Sequence, residues 1–342
     1  MSSQWSFSAF GLDSLTLSPS TPRDPGPGEV LLRLRAASLN YRDLLMIRGH
    51  YDPRVPRPLV PCSDAVGVIQ AVGPGVNASI GERRIPIFAQ GWISGPPKAE
   101  HLRTTLGGPL PGTLQTHLTV PIEATVPAPD GLSDIEAATL PCAGVTALHA
   151  LHAAGVGPGS RVLTLGTGGV STFALQLAHS MGAEVAVTSS CPVKLDRARD
   201  LGAAFTLNYL ENPRWGKAVA GWSGGGVDAV IEVGGVGTLA QSLKAVRVGG
   251  RISLIGVLGG GSGEVPLVRA LMKSVQIQGI MVGSREHLVD LLGRIHSGGI
   301  RPVVDRVFPY RQAPAALHHL ESGAHHGKVT VDLTDEGGAD IG

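Results

Sequence analysis

The sequence predicts an α/β protein in two parts: a doubly wound parallel sheet, and a β-rich part that takes in both ends of the chain. Three observations lead there. From about residue 160 short apolar runs alternate with longer amphipathic ones. The first 125 residues instead carry strand-like runs set apart by Pro and Gly clusters. A length of 342 residues suits two cores, and 48 glycines provide tight turns and close backbone approaches.

Hydrophobic residues make up 43% of the chain and charged ones 16%, the balance of a globular protein. Lys and Arg total 28 against 27 Asp and Glu, with no basic patch, so nucleic acid and anionic membrane are not expected partners. The start "MSSQWSFSAF" lacks the basic and apolar regions of a secretory signal. Gly or Pro breaks every uncharged stretch before it could span a bilayer. Cys62, Cys142 and Cys191 are too widely spaced for a disulfide framework, and a reducing cytoplasm is the expected location.

In chain order, "EVLLRLRAASL" and "AVGVIQAVG" read as strands, and residues 88–120 as a long loop of lid or binding type. "SDIEAATLPCAGVTALHALHAAG" has helical spacing. The runs "RVLTLG", "EVAVTS", "AFTLNY", "DAVIEV", "RISLIG" and "VQIQGI" are apolar enough for strands buried on both faces. Between the first two, Val170, Phe173, Ala174, Leu177, Ala178 and Met181 form a helical stripe, and Leu195, Ala198, Leu201 and Ala203 suggest another. Such alternation makes a parallel sheet with right-handed crossovers. A helix in "REHLVDLLGRIHSGG" and strands in "VVDRVFPY" and "GKVTVDL" close the chain. Residues 1–125 with 290–342 therefore form the expected β-rich domain, and 126–289 the sheet domain.

The sharpest signal is "RVLTLGTGGVSTFALQLA", where a strand enters Gly166, Thr167, Gly168, Gly169 and Val170 and a helix follows at once. The first glycine permits the turn, the next lets a pyrophosphate reach the backbone, and the helix N-terminus offers N–H groups to phosphate. This is the Rossmann dinucleotide pattern, with Ser171 where Gly or Ala is usual; the extra atoms are expected to loosen the helix–strand fit slightly. An NAD-selective site places a carboxylate at the end of the second strand. This chain has Ser189 and Ser190 there, then Lys194, with Tyr209 ending the third strand. Hydroxyls and an ammonium suit a 2′-phosphate, so NADPH is expected over NADH.

"LVPCSDAVG" (59–67) sets Cys62, Ser63 and Asp64 side by side, which raises the question of a metal. Together with "AASLNYRDLLMIRGHY", "LPCAGVTALHAL", "LGTGGVSTFALQLA", "LIGVLGG" and "HHGKVTVDL", it resembles the medium-chain dehydrogenase/reductase superfamily over nearly the whole chain. The likeness is greatest to its zinc-independent, quinone-oxidoreductase-like branch. It implies a Rossmann domain joined to a GroES-like catalytic domain. In the zinc alcohol dehydrogenases of that superfamily a Cys opens a C-H-x-D motif; this chain has Asn40-Tyr41-Arg42-Asp43. Their Gly-His-Glu becomes Cys62-Ser63-Asp64, and only Cys142 keeps its ligand type. The long loop that would hold a structural zinc has no cysteine. Catalytic zinc needs three protein ligands, so no metal is expected, and Cys142 reads as a small buried hydrophobe.

The resemblance assigns further roles. Tyr51 aligns with a proton-donating tyrosine of enoyl-thioester reductases, and Asn40 can donate to a carbonyl or a ribose hydroxyl. Asp43 is expected to organise hydrogen bonds. Thr146 should contact the nicotinamide side of the cofactor; Val233, Gly234, Ile255 and Gly256 should line its groove; Met281, Val282 and Gly283 should lie against the nicotinamide, with Lys328 near its pocket. "VQIQGI" is apolar enough to pair with its copy, giving a homodimer. The expected activity is NADPH-dependent, zinc-independent hydride reduction of quinones or conjugated carbonyls. Two alternatives stand beside it: an NAD(P)-dependent alcohol dehydrogenase, and an NADPH-binding structural or redox-sensing protein without turnover.

Overall fold

A computed structural model describes residues 2–334. In chain order the strands are β1 (Ser3–Phe7), β2 (Leu15–Pro19), β3 (Glu29–Ser38), β4 (Asp64–Val72), β5 (Arg83–Pro86), β6 (His117–Pro121) and β7 (Thr125–Pro127). Then follow β8 (Arg161–Leu165), β9 (Glu184–Ser189), β10 (Phe205–Asn208), β11 (Val227–Glu232), β12 (Val246–Leu254) and β13 (Gln276–Gly279). The last two are β14 (Val304–Pro309) and β15 (Lys328–Asp332).

The chain divides into two units, Met1–Val145 with Gly283–Gly342, and Thr146–Val282. The seam lies inside the helix Val145–Ala153 and just beyond β13, where the sequence reading set it at 125/126 and 289/290. Two packing facts account for the shift. The helix Arg285–Gly298 is tied to the first unit by Arg285 Nε donating to Thr125 O at 3.0 Å. The helix Asp134–Ala137 is tied by Asp134, which takes ion pairs from Arg35 and Arg83.

In the first unit the sheet runs β14-β15-β3-β4-β5-β7, with β6 also on β3. β3 is its spine. It pairs with β4 along its length, with β6 through Glu29–Arg33 and with β15 through Ala36–Ser38. Val30, Leu32 and Leu34 turn into a core shared with Phe7, Leu39, Ile47, Leu317, Val329 and Val331. The antiparallel pairing of β15 with β3 carries Lys328 to the place where β3 runs on into Leu39 and Asn40.

The described residues of the second unit build a parallel sheet in the order β10-β9-β8-β11-β12-β13. That order reverses direction between β8 and β11, the switch point at which doubly wound sheets bind ligands. The predicted stripe becomes the helix Gly169–Ser180, and Leu195 and Ala198 face inward from Pro192–Asp200. One expectation is corrected. β13, read as buried on both faces, is the outer strand of its sheet and all four of its residues are exposed. The strand itself reads Gln-Ile-Gln-Gly, half of it polar, and among the described residues no element covers it.

Candidate active site

The carboxyl edge of the parallel sheet gathers most of the expected cofactor residues. Gly166 ends β8 with φ +73°, a conformation open to glycine, and its N–H donates to Thr188 O at 2.8 Å. Thr167 and Gly168 lead into the helix Gly169–Ser180, which begins with Val170 in its first turn and has no side-chain cap. Uncapped N–H groups and the positive end of the helix dipole fit a dinucleotide phosphate. Ser171 departs from expectation: its buried hydroxyl donates to Leu165 O at 2.7 Å, so it ties helix to strand instead of loosening the fit.

At the next strand end Ser189 is buried and Ser190 exposed, with Lys194 one turn into the following helix. Ser189 Oγ accepts the Cys191 N–H at 3.4 Å, which leaves its own proton to donate. Tyr209, 39% exposed, stands beside Ser189 through its N–H to Ser189 O at 3.1 Å. No carboxylate occupies the end of β9.

Across the switch point, Val233 and Gly234 follow β11, and Ile255 and Gly256 follow β12. Their loops are stitched together, Leu258 N–H to Val233 O at 3.1 Å and Gly259 N–H to Gly234 O at 2.7 Å. Sequence reasoning missed the residue that holds this loop. Glu232 is fully buried; its Oε1 accepts from Gly234 N at 2.7 Å, Gly235 N at 3.2 Å and Thr238 Oγ1 at 2.5 Å, and Oε2 accepts from Ser242 Oγ. A carboxylate closing an apolar strand just before Gly-Gly was the signal that could have found it. Met281 and Val282 follow β13; Val282 holds φ +36°, strained for a β-branched residue, and its carbonyl meets His149 Nδ1 at 2.8 Å. Thr146 is buried in the first turn of Val145–Ala153, and Gly283 opens the return to the first unit. A cleft of about 430 Å³ lies at the opposite, amino edge, where Asp228 already takes Arg161 N–H and Arg247 Nε.

The first unit concentrates the remaining chemistry around Asp64, which is fully buried at the start of β4. Its Oδ1 accepts from Ser63 Oγ at 2.8 Å and its Oδ2 from Cys142 N–H at 3.3 Å. That N–H belongs to a turn of π-helix, Leu140–Gly144, a winding often found at functional sites. Lys328 Nζ approaches the same Oδ2 to 3.7 Å. It donates to Leu39 O at 2.7 Å and to Asn40 Oδ1 at 2.6 Å. Lys328 is thus enclosed, 3% exposed, within the first unit.

These contacts settle an orientation. An ammonium can only donate, so the Asn40 atom facing it is the carbonyl oxygen and the amide nitrogen is turned away from it. That nitrogen lies toward the Asp64 carboxylate without reaching hydrogen-bond geometry. Asn40 caps the helix Tyr41–Ile47, and its N–H goes to Asp43 Oδ2 at 2.7 Å. Burial pushes Asp43 up to about 6 against the pull of Arg42 and the Asn40 N–H, and its Oδ1 has no partner. Burial also raises Asp64, opposed chiefly by Lys328 and then by Asn40, Ser63 and the Cys142 N–H. The thiols of Cys62 and Cys142 are raised by burial and by the neighbouring carboxylates, so both are neutral.

Cys62 itself has φ +72°, a glycine-like conformation at the position aligned with a family glycine. The segment Gly112–Leu114 lies against its backbone; a Cβ on Gly112 would come within 2.1 Å of Cys62 O. Arg42 fastens the same long loop through Leu106 O at 2.9 Å and Gly108 O at 2.6 Å. Its guanidinium also lies over the Tyr51 ring at 5.1 Å; that ring is 44% exposed. His50 is exposed, and His101 stacks on Trp92 at 5.4 Å.

Zinc does not fit this donor set. Of the three positions that would ligate it, Asn40 and Ser63 carry neutral oxygen side chains and only Cys142 a thiol, and an ammonium is bound to Asp64 beside them. Among the described residues no three His, Cys, Asp or Glu side chains gather to hold an ion.

Two family models match the chain: the alcohol dehydrogenase GroES-like domain over residues 26–130, and the zinc-binding dehydrogenase over residues 169–297. A zinc-type alcohol dehydrogenase-like protein of Schizosaccharomyces pombe is 42% identical over 91% of this chain and 93% of its own. The crystal structure of an NAD-dependent alcohol dehydrogenase superposes with a TM-score of 0.89 at 32% identity, over 97% of this chain and all of that one. The quinone oxidoreductase of Coxiella burnetii superposes with a TM-score of 0.80 at 25% identity, over 97% of this chain and 99% of that one.

Proposed function

Because the chain belongs to the medium-chain dehydrogenase/reductase superfamily and is an oxidoreductase of alcohol dehydrogenase-like type, we propose that it reduces quinones or conjugated carbonyl compounds with NADPH and without zinc. One observation carries this reading: two of the three positions of a catalytic metal hold Asn40 and Ser63, and beside them and Cys142 a lysine ammonium is paired with Asp64. The loops at Gly166–Val170, Val233–Gly234 and Ile255–Gly256 would hold the dinucleotide, with Ser189, Ser190 and Lys194 toward its 2′-phosphate. The bound nicotinamide supplies the hydride. The chain's own groups do the rest. Asn40 donates from its amide to the substrate oxygen, its orientation fixed by Lys328, and so favours negative charge developing there. Tyr51, held by Arg42, gives the proton that the enolate carbon takes up.

An activated double bond suits this equipment because its reduction needs a polarising donor and a proton. Simple alcohol oxidation needs the pKa of an alcohol lowered by a Lewis acid. The second reading, an NAD(P)-dependent alcohol dehydrogenase, draws support from the names of the similar proteins. Purified protein is mixed with NADPH or NADH and a panel of quinones, enals and ketones, with and without chelator, and its metal content is measured. Chelator-insensitive NADPH oxidation with quinones or enals supports the proposal. Stoichiometric zinc, with turnover lost on chelation, would replace it by the alcohol dehydrogenase.

A homodimer through β13 is part of the proposal. That strand is exposed throughout, and in the adjacent helix Leu267–Met272 the side chains of Leu267, Val268, Leu271 and Met272 are 69–76% exposed. Sedimentation should show a dimer that Ile277→Lys dissociates. The thiols Cys62, Cys142 and Cys191 are free, which suits a reducing cytoplasm, and among the described residues no helix is long and apolar enough to cross a membrane.

A further inference from the structure

We infer that Lys328 is the resident cation of this site: its ammonium bars a divalent ion from Asp64 and Cys142, and sets the amide of Asn40 to donate. The inference rests on the metal-free reading proposed above and not on the substrate class.

The geometry is that of a small cation site built of oxygen. Nζ has three hydrogens. Two are taken by Leu39 O at 2.7 Å and Asn40 Oδ1 at 2.6 Å, and the third side of the charge faces Asp64 Oδ2 at 3.7 Å. Asp64 also accepts from Ser63 Oγ and Cys142 N–H, one on each oxygen, so both oxygens are already engaged within the chain. A divalent ion bound to Asp64 would stand beside a positive charge at contact range in a buried setting, where repulsion is strong. Each of these groups sits at the end of a paired strand: Lys328 opens β15, Leu39 and Asn40 leave β3, Asp64 opens β4, and β15, β3 and β4 are adjacent. Strand register sets where the lysine stands, and burial with two hydrogen bonds distinguishes its side chain from a surface lysine.

Two consequences separate this role from mere packing. Restoring a ligand while leaving the lysine should not restore a metal site. Removing the lysine should both admit a metal and free the Asn40 amide to turn.

The test uses Co²⁺ as the probe, read by its thiolate charge-transfer and d–d absorption and by equilibrium dialysis. Ser63→His supplies the missing imidazole next to Asp64 and Cys142. With Lys328 present, this variant should bind no Co²⁺ beyond wild type. Ser63→His combined with Lys328→Met should bind one equivalent at least about 100-fold more tightly. Tight Co²⁺ binding by Ser63→His alone would overturn the inference, and so would a folded double variant that binds no better than the single one.

If the double variant does not fold, refolding it with Co²⁺ present should recover the fold; no recovery would count against the inference. A measurement on the unaltered chain stands independently. In ¹H–¹⁵N spectra of lysine side chains, Lys328 should give a slowly exchanging ammonium signal that Lys328→Gln abolishes and added Zn²⁺ leaves in place. No such signal, or its displacement by stoichiometric Zn²⁺, would refute the role. Zinc found in wild-type protein as purified would instead overturn the metal-free reading itself, so the two failures are distinguishable.

Discussion

Lys328→Met keeps the length and apolar stem of the side chain and removes only its charge and donors. The perturbation is confined to three acceptors: Leu39 O, Asn40 Oδ1 and Asp64 Oδ2. Each acceptor left buried without a donor costs about 1–3 kcal/mol, and a buried charge stripped of its partner about 3–5 kcal/mol. These overlap, so a loss of about 3–5 kcal/mol is expected at about pH 8, where Asp64 must stay charged or take up a proton. The loss has a signed pH dependence. Lys328 is the chief group holding Asp64 down against burial, so removing it raises the folded-state pKa further. A raised carboxyl group favours the folded state at low pH, and that advantage disappears as pH climbs through the folded value. The variant should therefore be closest to wild type at about pH 5 and furthest from it at about pH 8. The double change Asp64→Asn with Lys328→Met leaves a neutral cluster and should fall short of the summed single losses by about 2 kcal/mol. With two units, global unfolding is not one transition, so hydrogen exchange of peptides covering β3 and β15 reads the first unit alone. Losses below about 1 kcal/mol and equal at both pH values, or strictly additive, would refute a buried ion pair at this position.

Other outcomes follow from the same site. Asp43, raised from 3.8 to about 6, stabilises the fold fully only below its unfolded value, and about 3 kcal/mol is lost as pH rises through 6. Asp43→Asn should flatten that decline in hydrogen exchange between about pH 4 and about pH 7, and an unaltered slope would mean another group titrates. Ser189→Asp places a carboxylate near a 2′-phosphate; one pair of like charges at about 4 Å is worth about 4 kcal/mol at intermediate dielectric, so NADPH affinity should fall about 100-fold or more and NADH little. Fluorescence titration that finds both dinucleotides weakened equally would remove the NADPH assignment. Tyr51→Phe keeps the ring under Arg42, so enal reduction should slow about 10-fold or more while NADPH affinity holds. An unchanged turnover number would pass proton delivery to water.

How much of this was legible in the chain differs between the two units. The glycine loop, the alternation of apolar runs and helical stripes, and the absence of a carboxylate after "EVAVTS" were local patterns, and each became the element it described. Ser171 misled because a pattern specifies size but not what a hydroxyl can reach, here Leu165 O. β13 misled because composition measures how apolar a strand is, not whether anything covers it. Glu232 was overlooked because its four donors all come from the residues after it, through a turn that periodicity does not register.

By itself the sequence determined the fold class, the place of the glycine loop between strand and helix and the loss of two of three metal-ligand types, since all of these depend on residue identity and short spacing. Only the tertiary structure decided that Lys328 stands against Asp64, 264 positions away along the chain. The reason is strand register: an antiparallel ladder between β15 and β3 fixes which distant residues meet, and no local rule encodes that pairing.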